Sequence, residues 1–229
     1  MPLRGVPRVT ELSRLQRAVA RRMTEARSGV PDFSVEIDAR MEAALRIRER
    51  TASVGKQPSI NDVIVFACGR VLSEMPALNS SFREDHLEIH SRVNVGIAVA
   101  VREALFVPTI LDADRKSLSE ISTNAGHLIR RAREGILTPE DLAGGTFTVS
   151  NLGMFGVRRF SPIINPPQAA ILAVGAVQRR LAMRAGGVEE QLVCTLTLVC
   201  DHRVVYGDQA ARFLARLRDQ IERVDSLFG

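Results

Sequence analysis

The chain has 229 residues, of which 45% are hydrophobic and 25% charged, and this composition is typical of one globular domain. Its apolar runs are far shorter than the roughly 20 residues of a membrane-spanning helix, and its amino-terminus lacks the apolar core of a secretory signal, so we expect a cytoplasmic protein without a membrane partner. The formal net charge is +5, but with no Trp and one Tyr few side chains could stack on bases, so we expect no nucleic-acid partner.

Five segments have the apolar spacing of helices. The apolar stripe of the first comprises Leu12, Leu15, Val19 and Met23. Ser59, followed three residues later by Asp62, is a favourable amino-terminal cap, and Asp208 is the expected cap of the last helix. In chain order, the predicted helices cover 10–28, 40–52, 63–72, 117–135 and 209–227.

Seven segments have the apolar pattern of strands, and Gly186 with Gly187 predicts a hairpin near the carboxyl end. Helices and strands are mixed without regular alternation, which favours an α/β sandwich with a mixed, largely antiparallel sheet. We expect one domain over 1–229. The predicted strands cover 33–37, 87–89, 93–101, 105–111, 146–150, 169–176 and 191–200.

The three cysteines, Cys68, Cys194 and Cys200, lack the spacing of metal ligands. Each lies in an apolar stretch where a small hydrophobic side chain fits. We predict three buried free thiols and no metal site.

Four histidines limit the choice of a general base. His86, His90 and His127 lie in polar surroundings without clustered acids or thiols, which favours surface positions. His202 differs, because it follows an apolar strand and precedes Gly207 in a tight turn. Position alone does not separate a catalytic base from a structural histidine here.

A second segment of interest contains Ser150 and Asn151 at the end of a predicted strand. A hydroxyl in this position is well placed to donate a hydrogen bond to an oxyanion. Both side chains could instead satisfy backbone groups of a turn, and the local chemistry by itself favours that interpretation.

Five segments occur in an order that resembles a known family. They are VARRM at 19–23, VPTILDADRKSLSEI at 107–121, GGTFTVSNLGMFGV at 144–157, INPPQAAILAVGA at 164–176 and DHRVVYG at 201–207. Over nearly its whole length, the chain resembles the catalytic domain of the dihydrolipoamide acyltransferases, the core components of 2-oxo acid dehydrogenase complexes. The resemblance leans toward the branched-chain type, with acetyl transfer as the alternative.

The resemblance implies acyl transfer between dihydrolipoamide and coenzyme A on a chloramphenicol acetyltransferase-like fold. His202 would remove the proton of the incoming thiol, and Ser150 would donate to the tetrahedral oxyanion. The family forms homotrimers with active sites between subunits, and these build larger cores. Expected partners are a lipoyl domain and the decarboxylase and dihydrolipoamide dehydrogenase components of the complex.

Position 206 departs from the family pattern. A carboxylate or amide is usual there and is paired with an arginine of the first helix, but this chain has Tyr206 and Gln16. Loss of both members of a buried pair can be nearly neutral. We predict that the Tyr206 hydroxyl bonds Gln16 or nearby backbone, and that this contact supports the loop together with Arg203 and Gly207.

Neither lysine of the chain has the sequence context of a residue that carries a lipoyl group. Lys56 and Lys116 both lack the Asp-Lys-Ala context that carries lipoate, so we expect the lipoyl and subunit-binding domains to be absent from 1–229 and the lipoyl group to come from another domain. Two other functions compete: a non-catalytic structural core of such a complex and an antibiotic O-acetyltransferase.

Overall fold

A mixed sheet with helices on one face forms the centre of the molecule. The computed structural model describes residues 8–51, 57–101, 104–184 and 186–225. The strands are β1 (Asp32–Arg40), β2 (Ser80–Arg83), β3 (His86–Ile89), β4 (Val95–Ile97), β5 (Val99–Val101), β6 (Ala104–Phe106), β7 (Thr109–Ile110), β8 (Phe147–Asn151), β9 (Ala170–Val174), β10 (Gln178–Arg184) and β11 (Gly187–Asp201).

The sheet order is β1-β11-β9-β8-β4-β7, with β10 paired beside the first half of β11. The pairs β4–β8 and β8–β9 are parallel, whereas β1–β11, β11–β9, β10–β11 and β4–β7 are antiparallel. The predicted α/β fold with a mixed, largely antiparallel sheet is therefore confirmed. Two separate hairpins, β2–β3 and β5–β6, lie outside this sheet.

The helices are α1 (Arg14–Gly29), α2 (Glu42–Thr51), α3 (Ile60–Glu74), α4 (Leu118–Glu134) and α5 (Gly207–Glu222). Helices α2 to α5 contribute to the apolar core on one face of the sheet, whereas α1 is mostly exposed and Val30 at its end packs on the opposite face. In β11, Leu196 and Leu198 are fully buried in the core that α3 and α5 contribute to, while Thr197 faces the opposite side and donates to Glu36. Strand alternation thus separates an apolar face from a polar one.

The predicted cap at Ser59 is confirmed. The Ser59 hydroxyl accepts from the Asp62 N–H at 3.1 Å and the Asp62 carboxylate accepts from the Ser59 N–H at 2.8 Å, which begins α3. Ser117 and Glu120 form the same box at α4, and Gly135 ends that helix at φ +73°. The Gly186–Gly187 hairpin is also present, between β10 and β11.

The last helix differs from its prediction. It begins at Gly207, and Asp208 lies inside its first turn, paired with Arg212. The residue before the helix is Tyr206, whose backbone N–H donates to the Gln209 side chain at 2.9 Å. The prediction that Asp208 caps this helix is therefore wrong, because Asp208 is already the second residue of the helix.

Other boundaries also move. The strand predicted at 93–101 divides into β4 and β5, that at 105–111 divides into β6 and β7, and β2 and β10 are additional strands. In the predicted apolar stripe, Val19 and Met23 are half-buried, but Leu12 precedes α1 and is exposed. The Leu15 side chain, residue 52 and residues 226–227 of the predicted helices lie outside the described part of the chain. Among the described helices, none is long and apolar enough to cross a membrane.

Candidate active site

The turn after β11 is held by Asp201 and Arg203. The Asp201 residue is 3% exposed. It accepts from the Arg203 backbone N–H at 3.0 Å and from the guanidinium Nε and Nη2 at 2.9 and 2.7 Å. The guanidinium also lies over the Phe82 ring, with 4.2 Å to its centroid. These contacts tie the Arg203 side chain to the turn that carries His202.

His202 presents its ring at this end of the sheet. Its backbone N–H donates to the Pro31 carbonyl at 2.9 Å, which fixes its Cα against the start of β1. Its ring packs on Phe33 with a centroid distance of 4.5 Å. The side chain is exposed, and within the described residues neither ring nitrogen has a hydrogen-bond partner. The imidazole is therefore free to exchange a proton with a ligand.

The predicted bond between Tyr206 and Gln16 is not formed. The Gln16 Oε1 accepts from the Ser13 backbone N–H at 2.8 Å, because it closes the capping box of its own helix, α1. Tyr206 is 58% exposed, and its hydroxyl has no hydrogen bond to the part of the chain that the structure describes. Its ring stands against His202, at a centroid distance of 5.8 Å. Gly207 supports the turn only as the first residue of α5.

Ser150 lies at the carboxyl end of β8 with a half-buried side chain. The neighbouring residue, Asn151, makes the hydrogen bonds that hold the turn. Its Oδ1 accepts from the Gly153 N–H at 2.8 Å, and its Nδ2 donates to Asn61 at 3.3 Å. The Ser150 hydroxyl makes no hydrogen bond within residues that the structure describes. It is therefore available to a ligand, which removes the alternative that Ser150 merely satisfies the turn.

Two glycines fix the loop that follows Ser150, and sequence reasoning missed them. A Cβ on Gly175 would lie 1.9 Å from the Arg158 carbonyl oxygen, and one on Gly153 would lie 2.6 Å from the Gly175 oxygen. The Ala176 N–H also donates to the Val157 carbonyl at 2.8 Å. Backbone thus packs directly on backbone here, and only glycine permits this approach.

His202 and Ser150 lie at opposite ends of the sheet. Ser150 is paired with Ala173, and Ala173 with Thr197, so Ser150 is level with Thr197 but two strands away. His202 lies five residues beyond Thr197 along the chain, which corresponds to about 17 Å along β11 and about 10 Å across the two strand spacings. One chain therefore does not bring the two side chains together.

The cysteines and remaining histidines lie apart from this chemistry. Cys68, Cys194 and Cys200 are buried and free, as predicted. Burial raises the pKa of all three thiols, that of Cys194 to about 11 and that of Cys200 to about 12. His86 and His127 are exposed as predicted, whereas the prediction of a surface position is wrong for His90, which is half-buried and lies 2.8 Å from the Ser81 hydroxyl. Among described residues, no group of three or more His, Cys, Asp or Glu could hold a metal ion.

The fold belongs to a known class of acyltransferase structures. A solved chloramphenicol acetyltransferase has a TM-score of 0.55 at 14% identity, and the likeness covers 88% of this chain and 94% of that one. At this identity the likeness establishes the fold alone.

The chain belongs to the family described as 2-oxoacid dehydrogenases acyltransferase (catalytic domain), whose model matches residues 5–229. It is 37% identical to relatives from Rickettsia felis and Zymomonas mobilis, each named dihydrolipoyllysine-residue acetyltransferase component of pyruvate dehydrogenase complex. These matches cover 94% and 93% of this chain but 53% and 49% of the relatives, so the chain spans about half their length.

Solved relatives agree with this family. The dihydrolipoamide acetyltransferase of Azotobacter vinelandii has a TM-score of 0.93 at 29% identity, over 98% of this chain and 95% of that one. It was investigated for the role of a serine, a histidine and an asparagine in its catalytic mechanism; the histidine follows the serine by 52 residues and the asparagine follows the histidine by 4. The cubic core of a pyruvate dehydrogenase multienzyme complex gives the same TM-score and identity.

Proposed function

We propose that this chain is the catalytic core of a dihydrolipoyllysine-residue acetyltransferase, which transfers an acetyl group between a lipoyl group on another domain and coenzyme A. The observation that carries the proposal is the pair of accessible groups, the His202 ring and the Ser150 hydroxyl, which have no hydrogen-bond partner in the described chain. Their spacing, and the spacing from His202 to Tyr206, equal those of the serine, histidine and asparagine studied in the Azotobacter enzyme.

The chemistry follows from these two groups. His202 accepts the proton of the coenzyme A thiol, because the thiolate and not the thiol is the nucleophile, and histidine is the side chain that most often serves as a general base. The thiolate attacks the thioester carbonyl of acetyl-dihydrolipoamide, and Ser150 donates to the oxyanion. Collapse of the tetrahedral intermediate breaks the bond to the lipoyl sulfur, which takes the proton from the imidazolium. The reaction ends with acetyl-coenzyme A and dihydrolipoamide.

The proposal requires more than one copy of the chain. Since His202 and Ser150 lie at opposite ends of one sheet, a complete site needs His202 of one copy to face Ser150 of another. A ring in which each copy meets the next satisfies this requirement. We therefore propose a homotrimer as the unit, and the likeness to a cubic core supports further assembly. A lipoyl domain, a decarboxylase and a dihydrolipoamide dehydrogenase are the proposed partners.

The acyl group expected from the sequence differs from the one that the relatives' names indicate. The expected lean toward branched-chain enzymes finds no support, because the relatives from Rickettsia, Zymomonas and Arabidopsis are all named for pyruvate dehydrogenase, at 34 to 37% identity. Acetyl is therefore the proposed acyl group. One methylene in a pocket changes discrimination by only about 1 to 3 kcal/mol, so the preference needs a direct measurement.

The test is transfer from acyl-coenzyme A to free dihydrolipoamide, with acetyl-, isobutyryl- and succinyl-coenzyme A compared as donors. We expect kcat/KM to be at least about tenfold higher for acetyl than for isobutyryl, the size of one to two misfitted methyl groups. Equal rates, or a faster isobutyryl reaction, would remove the acetyl assignment.

The same assay decides between the competing functions. An assembled protein that transfers no acyl group would be a structural core and would contradict the proposal. Acetylation of chloramphenicol without transfer to dihydrolipoamide would indicate the antibiotic acetyltransferase. The likeness to chloramphenicol acetyltransferase lies at 14% identity and gives no support for that substrate.

A further inference from the structure

We infer that Tyr206 is a positioning residue whose ring, and not whose hydroxyl, holds the His202 imidazole in place for proton transfer. The inference rests on the proposed function and concerns the one position of the turn that departs from the family pattern. It assigns Tyr206 a role that differs from the hydrogen bond expected from the sequence.

Two aromatic rings flank the His202 imidazole. The His202 ring has Phe33 as one neighbour, at 4.5 Å between centroids and 44° between planes. Tyr206 is the other, at 5.8 Å and 74°, an edge-to-face arrangement. Both distances lie in the range of about 4.5 to 7 Å in which aromatic pairs attract. The imidazole is therefore confined by two rings that belong to different elements, β1 and the residue before α5.

The two carboxylates on either side of His202 in the chain are already paired with arginines. A buried carboxylate often bonds one ring nitrogen of a catalytic histidine and fixes its orientation. Here the Asp201 carboxylate binds Arg203 and the Asp208 carboxylate binds Arg212. In the described part of the chain no group donates to or accepts from the ring nitrogens of His202. Ring packing is the remaining constraint on rotation about its two side-chain bonds.

The Tyr206 ring contributes little to the fold itself. The backbone N–H of Tyr206 donates to Gln209 at 2.9 Å and its carbonyl accepts from Ala210 at 3.0 Å, and both bonds are independent of the side chain. The side chain makes no capping bond and is 58% exposed. Truncation of the ring should therefore leave the helix start unchanged and lower the thermal midpoint by only a few degrees, about the effect of one aromatic pair.

The hydroxyl and the ring can be separated by three variants of the assembled protein. Tyr206→Phe keeps the ring and should keep kcat within about twofold. Tyr206→Leu and Tyr206→Asn remove it and should lower kcat about 3- to 10-fold, the rate equivalent of one aromatic pair, with KM for coenzyme A and the thermal midpoint little changed. Asparagine is the informative replacement, since the Azotobacter enzyme has one at the matching spacing.

Two results would overturn the inference. If Tyr206→Phe is as impaired as Tyr206→Leu, the hydroxyl acts and the ring does not. If the kcat of Tyr206→Leu or Tyr206→Asn equals that of the unmutated protein, the ring is not required for catalysis.

Failure of the proposed function is distinguishable from failure of the positioning role. An unmutated protein no more active than its His202→Ala variant contradicts the function. In that case crystal structures still test the role: we expect the His202 ring in one conformer with Tyr206 or Tyr206→Phe, and rotated or in several conformers with Tyr206→Leu. One unchanged conformer in Tyr206→Leu would overturn it.

Discussion

The two ends of the central sheet hold their reactive groups in different ways. At the end of β11, contacts between side chains hold the turn. The Asp201 carboxylate accepts from Arg203, and aromatic rings flank His202. At the end of β8, contacts between backbone atoms hold the loop, because Gly153 and Gly175 let two chain segments pack directly on each other. The comparison teaches that contacts between side chains hold the histidine end, whereas the serine end depends on positions where no side chain fits.

The largest expected effect is at the histidine end. His202→Ala should lower kcat for acetyl transfer about 1,000-fold, because general-base catalysis contributes about 100- to 10,000-fold. His127→Ala, an exposed histidine on α4, is the matched control and should keep full activity. Steady-state rates with acetyl-coenzyme A and dihydrolipoamide measure both. A His202→Ala variant within tenfold of the unmutated protein would place the base elsewhere.

The serine end should respond less strongly. Ser150→Ala should lower kcat about 100-fold, with KM for coenzyme A little changed, because an oxyanion donor acts only in the transition state. The Asn151 contacts that hold the turn do not involve Ser150, so the thermal midpoint should stay the same. A raised KM with normal kcat would instead assign Ser150 to substrate binding.

Gly175→Ala tests the backbone contact behind Ser150. The new Cβ would lie 1.9 Å from the Arg158 carbonyl and 3.2 Å from the Thr195 carbonyl, so backbone must move. We expect a loss of about 1 to 3 kcal/mol in stability, the usual range for overpacking, and a fall in kcat of about tenfold as the loop shifts. Gly186→Ala has nothing within 4 Å of its Cβ and is the control. Equal stability of the two variants would show that the contact relaxes without consequence.

The smallest effect concerns the thiol nearest the base. Cys200 lies two residues before His202, but burial, together with the charge of Asp201, raises its pKa to about 12. At pH 8 we expect less than about a tenth of one thiol per native chain to react with a disulfide reagent within minutes, since the thiolate is the reactive form. All three thiols should react in denaturant. A fast-reacting native thiol with loss of activity would bring a cysteine into the site.

Much of the fold follows from local sequence signals. Ser59 and Ser117 each had a partner three residues later, and Gly135 stood where a left-handed residue ends a helix, so these helices were predictable. The start of α5 was not predictable, because Tyr206 is not a usual cap, and its N–H donates to the Gln209 side chain only once the helix exists. Strand β2 was missed because its four residues have no clear alternation of apolar and polar side chains.

The sequence indicates candidate members of the site, but it does not indicate the contacts that hold them. His202 and Ser150 came from motifs whose order resembles a family, and Arg203 lay inside one of them. The exchange of the Tyr206–Gln16 bond for ring packing depends on side-chain geometry across elements, which a linear pattern does not contain. The Gly153–Gly175 contact likewise joins residues of two strand ends, and nothing in either segment alone indicates the other.

The central claim is that a complete site takes His202 from one copy and Ser150 from another, and complementation tests it most directly. Co-assembled His202→Ala and Ser150→Ala chains should recover activity that neither variant has alone, up to about a quarter of the unmutated rate for random mixing in a closed ring. Activity no greater than the sum of the two separate variants, in mixed assemblies verified by mass, would contradict the shared site.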